Sequence, residues 1–417
     1  MNRFRLLYHY LWALGGALFY RFPARHIYVL GVTGTKGKTT TIELISAILE
    51  AAGCRTAIAS TLRFKIGERS EANRLKMTMP GRARLQKFLR QAVRARCDYA
   101  LIEMTSEGAK QFRHHFIELD ALIFTNLTPE HIESHGSYQN YLAAKLAIAR
   151  QLERSTKPDR TIIVNADDRA ARRFLATKVP HKLTYRARDA APWTVSESGC
   201  RFVFRQTEIN SSLPGRFNLH NLLAAATFTA SRGGPLAVIK KALEGFRGVR
   251  GRLERLAART IDPRWPDFTV IVDYAHTPDS LKQVYEIFAT RQKISVLGAA
   301  GGGRDKWKRP VMGKIASDHC RQVILTNEDP YDEDPQAIVR DLARGLGRAP
   351  YEIIMDRRQA IRRALGEAKA GEVVIITGKG TDPYIMGPGG TKIPWDDATV
   401  VREELSKPET NEATLHA

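Results

Sequence analysis

The sequence predicts an α/β fold: a central domain with a mostly parallel, doubly wound sheet, followed by a C-terminal Rossmann-like α/β domain. Three observations predict it. Short β-branched apolar runs alternate with helical stretches along most of the chain, the pattern of parallel strands joined by crossover helices. The alternation lapses over residues 182–209, where strand-like runs follow one another directly, and resumes at Phe268. The runs end on glycine or polar residues, and the carboxyl ends of strands are where open α/β sheets hold ligands.

The 417 residues suffice for two or three domains. The expected divisions are an apolar helical segment at 1–26, the central domain at 27–247, the C-terminal domain at 248–404 and a polar, disordered tail at 405–417. Residues 245–252, with three glycines and three arginines, read as a hinge. Cys54, Cys97, Cys200 and Cys320 are scattered without metal spacing, which points to free thiols in a reducing, cytoplasmic compartment. The net charge of +21 favours anionic partners, but the basic residues are spread through helical stretches such as 82–96 rather than gathered in a nucleic-acid-binding tail. Residues 6–20 are apolar and aromatic, with Arg3 and Arg5 before them and Arg21 and Arg25 after. They are too short to span a bilayer comfortably and lack a signal-peptide cleavage site. Residues 4–22 therefore read either as a helix packed on the first domain or as an interfacial helix on an anionic membrane at the inner face.

In chain order, residues 27–30 form a buried strand leading into Gly31-Val32-Thr33-Gly34-Thr35-Lys36-Gly37-Lys38-Thr39-Thr40-Thr41, and residues 42–52 form a helix that stops at Gly53. Strand, glycine-rich turn and helix N-terminus make a phosphate cradle: backbone N–H groups converge on an anion, Lys38 reaches the terminal phosphates, and the Thr39 hydroxyl ligates Mg²⁺. Val32 stands where the generic loop has its first glycine, so the match is to a variant. Residues 54–66 read as a strand with its connection, and 76–81 as a turn suited to substrate contacts. Residues 99–102 form a strand ending on Glu103, either a ligand-facing carboxylate or a cap for the next helix. The strand at 119–126 opens into His131 and His135, which a helix would bring to one face. The helix at 138–154 carries Lys145. The strand at 160–164 closes on Asn165-Ala166-Asp167-Asp168, and an alanine-rich helix is expected at 222–231. In the second domain, strands at 268–272, 294–298, 322–326 and 372–376 end respectively on Asp273, the Gly301–Lys306 stretch, Asn327-Glu328-Asp329-Pro330 and Thr377-Gly378-Lys379-Gly380.

These motifs, in this order, resemble the Mur ligases. The resemblance is carried by the loop from Thr33 to Thr40, Thr125-Asn126-Leu127-Thr128-Pro129-Glu130-His131, Asn165-Ala166-Asp167-Asp168, Gly215-Arg216-Phe217-Asn218, Gly251-Arg252-Leu253-Glu254 and Asp273-Tyr274-Ala275-His276-Thr277-Pro278. Gly303-Arg304-Asp305-Lys306 with Lys308-Arg309-Pro310 is most similar to the branch that adds the third residue of the peptidoglycan stem. The resemblance implies an ATP-dependent ligase, read as a monomer, that joins an amino acid to a muramyl-peptide carboxylate through an acyl phosphate. It implies that Gly34, Thr35, Lys36, Gly37, Lys38, Thr39 and Thr40 hold ATP. Thr39 and Glu103 would hold one Mg²⁺, and His131 and a carbamylated Lys145 a second. Asn218 would contact the purine, Asp273 the ribose, and Arg252 a phosphate.

The departures concern the acceptor side. About 26 residues precede the nucleotide strand, where the family has a uridine-binding domain. The family's Glu-Val-Ser-Ser-His becomes Glu103-Met104-Thr105-Ser106-Glu107, and Gly-Lys-Gly-His-Glu becomes Gly378-Lys379-Gly380-Thr381-Asp382; Thr105, Ser106 and Lys379 are thus expected at the substrate. The Asp-Asn-Pro-Arg motif that selects diaminopimelate becomes Glu328-Asp329-Pro330-Tyr331, followed by Asp332-Glu333-Asp334. With no arginine there, Asp329, Asp332 and their neighbours suit an amino acid with a free side-chain amine, lysine or ornithine, unless Lys379 or Arg309 supplies the missing cation. A ligase of the same family acting on folylpoly-γ-glutamate, cyanophycin or a lipid-linked cell-wall precursor is the alternative. A non-catalytic nucleotide- or nucleic-acid-binding protein would have no need of Lys38, Glu103, His131 and Lys145 together.

Overall fold

The structure is a computed structural model, and it describes residues 3–130, 132–347 and 350–407. The chain divides into two compact units, Met1–Arg247 and Gly248–Ala417.

The first unit is built on an eight-stranded sheet. Its strands are β1 (Tyr28–Thr33), β2 (Thr56–Ala59), β3 (Arg63–Ile66), β4 (Arg69–Ala72), β5 (Tyr99–Met104), β6 (Ala121–Phe124), β7 (Thr161–Asn165) and β8 (His181–Tyr185). They lie in the order β4-β3-β2-β5-β1-β6-β7-β8. All neighbours are parallel except the β2-β3-β4 meander, which extends one edge. Both faces are covered, which is why the strands are continuous apolar runs rather than alternating ones. Successive residues feed opposite cores. Val29, Ala100, Ile102, Leu122 and Phe124 pack with Leu85, Phe88 and Leu89 of the helix Arg82–Arg94. Leu30, Val32, Leu101 and Ile123 pack with Ile42, Ile45 and Ile48 of the helix Lys38–Ala51 and with the helix Arg216–Ser231. That second layer also holds Phe202 and Ile209 from a three-stranded sheet, β9 (Thr194–Ser196), β10 (Gly199–Phe204) and β11 (Thr207–Ser211).

Two details differ from expectation, and a third decides between two readings. The strand read over 54–66 is the start of the meander, turned back at Ser60–Leu62 and again at Gly67. The alanine-rich helix starts at Arg216 rather than Leu222, after Gly215 at φ 89°, so Arg216, Phe217 and Asn218 form its first turn. The N-terminal helix, Arg3–Phe19, packs on the Arg82–Arg94 helix through buried Ala13 and Ala17, with Gly16 against the backbone of Ala83.

The second unit carries a six-stranded sheet: β12 (Glu254–Ala257), β13 (Thr269–Val272), β14 (Lys293–Leu297), β15 (Gln322–Leu325), β16 (Tyr351–Ile353) and β17 (Val373–Ile376), in the order β12-β13-β17-β14-β15-β16. Only the edge strand β12 is antiparallel to its neighbour. A hairpin, β18 (Tyr384–Met386) and β19 (Lys392–Pro394), follows. Sequence periodicity does not predict β12, β16 or this hairpin, which are three or four residues long. The last helix, Asp397–Leu405, ends on a fully buried leucine whose carbonyl accepts from Trp265 Nε1, so folded structure runs past the expected limit at 404. Residues 408–417, expected as a tail, lie outside the described residues.

Candidate active site

The strand order β5-β1-β6 sets three carboxyl ends side by side, and Val32 of β1 registers with both Glu103 and Ile123. The turn after β1 needs its glycines: Gly34 sits at φ 148° and Gly37 at φ 82°. A Cβ on Gly37 would lie 2.2 Å from Asn221 Oδ1. Lys38 folds over the turn and donates to the carbonyls of Gly34 (3.1 Å) and Thr35 (2.9 Å). Its Nζ is 4.0 Å from Glu103 Oε1. The other oxygen of Glu103 accepts from Thr39 Oγ1 (3.0 Å), Thr61 N (2.8 Å) and Thr61 Oγ1 (3.1 Å). Glu103 is 3% exposed. It caps no helix; Thr105 does, accepting from Gly108 N at 3.0 Å.

The rest of the turn is laced to the segment after β6. Thr35 N donates to the Asn126 carbonyl and Lys36 N to Asn126 Oδ1, both within 2.9 Å. Lys36 Nζ pairs with Glu130 at 2.9 Å, and Thr35 Oγ1 meets Tyr141 Oη at 2.9 Å. Thr40 lies half-buried in the first turn of the following helix. Asn218 is buried, donates to the Pro214 carbonyl and accepts from Asn221 Nδ2 at 3.0 Å. Asn221 in turn accepts from Thr41, so a chain of amides runs from Asn218 to the cradle. Asn221 carries no motif signal; only the packing of two helices reveals it.

Lys145 arrives from the Tyr138–Arg154 helix. It is 2% exposed, and its Nζ donates to the Gly34 carbonyl at 2.6 Å. Burial first, and the Lys38 charge second, hold its pKa well below the ordinary lysine value, with Glu130 and Glu103 pulling the other way. His131 lies outside the described residues. His135 does not present itself to a metal: its Nε2 lies 3.1 Å from both Ser106 Oγ and Glu107 Oε1. That contact, against the cost of burial, takes the Glu107 carboxyl down to about 2. Among the described residues no group of three or more His, Cys, Asp or Glu is arranged to hold a metal unaided. Thr39 and Glu103 nonetheless form the donor set that Mg²⁺ takes beside a nucleotide, one carboxylate and one hydroxyl completed by phosphate and water.

Thr61 Oγ1 also meets Thr78 Oγ1 at 2.8 Å, tying Glu103 to the turn at 76–81. The Arg113 guanidinium holds the Met79 carbonyl and Gln111 Oε1 (2.7 Å), and Arg82 Nε holds the Gln111 carbonyl at 2.8 Å. Two cations therefore flank that turn. Arg113 lies in no motif and escapes sequence reasoning.

In the second unit, Asp273 accepts from Leu253 N and Ala275 N, each at 2.7 Å, and so fixes the turn that carries Arg252. The Arg252 guanidinium sits 4.0 Å over the Tyr274 ring. Lys379 is fully buried and bound by Asp329 (2.8 Å), Asp382 (3.2 Å) and the Tyr384 carbonyl (2.6 Å). The acids expected to greet a side-chain amine have other partners. Asp332 accepts from Gly389 N, Glu333 pairs with Arg309 and Lys306, and Asp334 caps the helix Pro335–Ala343. Arg309, the other suggested cation, is buried between Glu333 and Asp341. Arg304, by contrast, hydrogen-bonds to neutral groups, Tyr331 Oη (3.0 Å) and the Gly301 carbonyl (3.2 Å).

Residues 32–229 match the Mur ligase middle domain, and residues 251–380 the Mur ligase glutamate ligase domain. A UDP-N-acetylmuramoyl-L-alanyl-D-glutamate–2,6-diaminopimelate ligase of Bacillus velezensis is 38% identical over 396 residues, 92% of this chain and 79% of that protein. A UDP-N-acetylmuramyl-tripeptide synthetase of Roseiflexus sp. is 38% identical over 422 residues, 94% and 81% of the two chains. A solved structure of a UDP-N-acetylmuramoyl-L-alanyl-D-glutamate–2,6-diaminopimelate ligase superposes with TM-score 0.61 at 29% identity, covering 91% of this chain and 78% of that one. Folylpolyglutamate synthase of Mycobacterium tuberculosis shares the fold, with TM-score 0.67 at 17% identity over 88% of this chain and 92% of its own. With both domain models matched and relatives 38% identical over more than nine-tenths of its length, the chain belongs to the Mur ligase family and is an ATP-dependent amino-acid ligase.

Proposed function

We propose that this ligase extends a UDP-linked muramyl peptide by one amino acid during cytoplasmic synthesis of peptidoglycan precursors. One observation carries the reading: Lys38, Thr39, Glu103 and a buried Lys145, whose pKa burial depresses, meet around the turn after β1. An acceptor carboxylate oxygen attacks the γ-phosphorus of ATP and ADP leaves, forming an acyl phosphate. The incoming amine attacks the acyl carbon, phosphate departs, and the amine loses a proton as the amide forms. Such chemistry needs positioning and charge neutralisation more than covalent help from the protein. Lys38 and the turn amides hold the phosphates. Thr39 and Glu103 would hold one Mg²⁺, and His131 with carbamylated Lys145 a second. Bound there, the ions would draw charge from the phosphoryl oxygens. The neutral amine is the form that attacks CO₂, and a depressed pKa favours it: the nitrogen bonds the carbon, a proton leaves, and the product is a carbamate with hard oxygen donors. Thr105 and Ser106, beside the turn flanked by Arg82 and Arg113, face the anionic acceptor in this reading.

The incoming amino acid is diaminopimelate rather than lysine or ornithine. The acids at 332–334 already hold the Gly389 N–H, Arg309 with Lys306, and a helix N-terminus, whereas Arg304 offers a guanidinium whose hydrogen bonds go to neutral groups and so suits a distal carboxylate. The test is incubation with ATP, Mg²⁺ and UDP-muramoyl-dipeptide, with meso-diaminopimelate, lysine, ornithine and alanine in competition, reading phosphate release and product mass. No product with any of them rejects the muramyl-peptide reading; a preference for lysine or ornithine rejects the role given to Arg304.

A further inference from the structure

The outer face of the Arg3–Phe19 helix is apolar and uncovered. Leu7, Tyr8, Leu11, Trp12, Leu18 and Phe19 are between 54% and 79% exposed. At ~100° per residue they fall, with Gly15, on one arc of about 140°. The opposite face is the one packed on the Arg82–Arg94 helix. Between Arg5 and Arg21 the sequence has no Asp, Glu, Lys or Arg. The charged residues of this helix, of the segment that follows it and of the helix beneath it are of one sign. Arg21 and Arg25 are exposed beyond its end, and Arg84, Lys87 and Arg94 are exposed on the helix beneath. The Arg82–Arg94 helix contains no acid, and the first acidic residue of the sequence is Glu43.

We propose that this helix docks the protein on an anionic lipid bilayer, lying in the headgroup plane with its outer face in the acyl boundary. The geometry suits lying rather than crossing. No described helix is long and apolar enough to cross a membrane, and this one already spends one face on the protein. Trp12 and Tyr8 carry the amphipathic rings that settle at a membrane interface. Charge separates a bilayer from a second copy of the chain. A two-fold contact through this face would bring two arginine-rich surroundings together, whereas anionic headgroups neutralise them. The docked helix packs on the element that directly follows the turn at 76–81, with His9 in contact with Arg82.

The test uses the full chain with vesicles of phosphatidylcholine alone and of an equal mixture of phosphatidylcholine and phosphatidylglycerol. Co-sedimentation with the mixture, weakened by high salt, and little with phosphatidylcholine alone is the expected result. The double variant Leu11→Glu/Trp12→Glu should lower the bound fraction at least about tenfold, and Lys87→Glu/Arg94→Glu comparably. Both sets of side chains are exposed, and circular dichroism with unchanged phosphate release in solution checks the fold. Absence of binding to the mixture overturns the proposal, as does equal binding to both vesicles. So does a concentration-dependent dimer in analytical ultracentrifugation that Leu11→Glu/Trp12→Glu abolishes, since a second copy would then be what covers the face.

Discussion

Replacing Lys145 tests the central chemistry directly. In Lys145→Ala one of the two lysines that donate to the Gly34 carbonyl disappears, and with it the amine proposed to become an oxygen ligand by reaction with CO₂. If the carbamate helps neutralise the transferring phosphoryl group, its loss should cost about 4 kcal/mol of transition-state stabilisation, or about 10³-fold in turnover. The fold should survive, because the substitution removes one amine whose hydrogen bond is to a carbonyl that Lys38 also serves. Phosphate release with saturating ATP, acceptor and amino acid gives the rate. Short carboxylic acids such as acetate or propionate should restore part of it by refilling the oxygen site. An independent readout is available in the wild type: ¹³C-bicarbonate should give a carbamate carbon resonance that Lys145→Ala lacks. Wild-type turnover by Lys145→Ala without added acid would refute the metal-ligand role, and absence of the resonance would refute the carbamate.

Lys38→Ala should abolish ATP turnover while leaving the urea-unfolding midpoint nearly unchanged, since its hydrogen bonds to Gly34 and Thr35 are local to its turn and a loop lysine contributes little to stability; normal turnover would remove the phosphate cradle. His114 is buried with Nδ1 unpartnered, and burial, then His115 and Arg154, press its pKa from 6.5 down to about 3. Between those values the unfolded chain binds a proton that the folded chain does not, so stability falls with pH, by about 2 kcal/mol from pH 7 to pH 5 for this group. His114→Gln should flatten that part of the urea-unfolding pH profile, and an unchanged slope would contradict it. Arg357→Ala should cost about 3–5 kcal/mol because it strands Asp397, fully buried and held by two 2.8 Å bonds to that guanidinium. Arg357→Met/Asp397→Leu should cost much less in the same urea titration.

The sequence alone determined the features that depend on neighbouring residues. Gly34, Gly37, Lys38 and Thr39 announce themselves because a phosphate turn is a local object: strand, positive-φ glycines and helix start lie within a dozen residues. The parallel sheet with both faces covered is legible for a similar reason, since burial on two sides demands unbroken apolar runs. Glu103 is placed by its position at the end of such a run. Short edge strands such as β4 and β16 escape because exposed strands of three or four residues carry no apolar period.

Tertiary structure decided which partner each polar side chain takes. From sequence, Asp332, Glu333 and Asp334 are three acids awaiting an amine; in the fold they hold a backbone N–H, an arginine and a helix end. His135 looks like half of a metal pair and instead closes on Glu107 and Ser106. Lys145 reaches Gly34 across 111 residues, and its low proton affinity arises from burial and from Lys38, neither of which local pattern contains. The N-terminal helix is read either as packed or as interfacial; its packing on Ala83 and its exposed outer face are both present, on opposite sides. Hydrophobic periodicity reports whether a residue is buried, while hydrogen bonds and ion pairs are settled by ångström-scale approach between distant segments, which only the packed chain supplies.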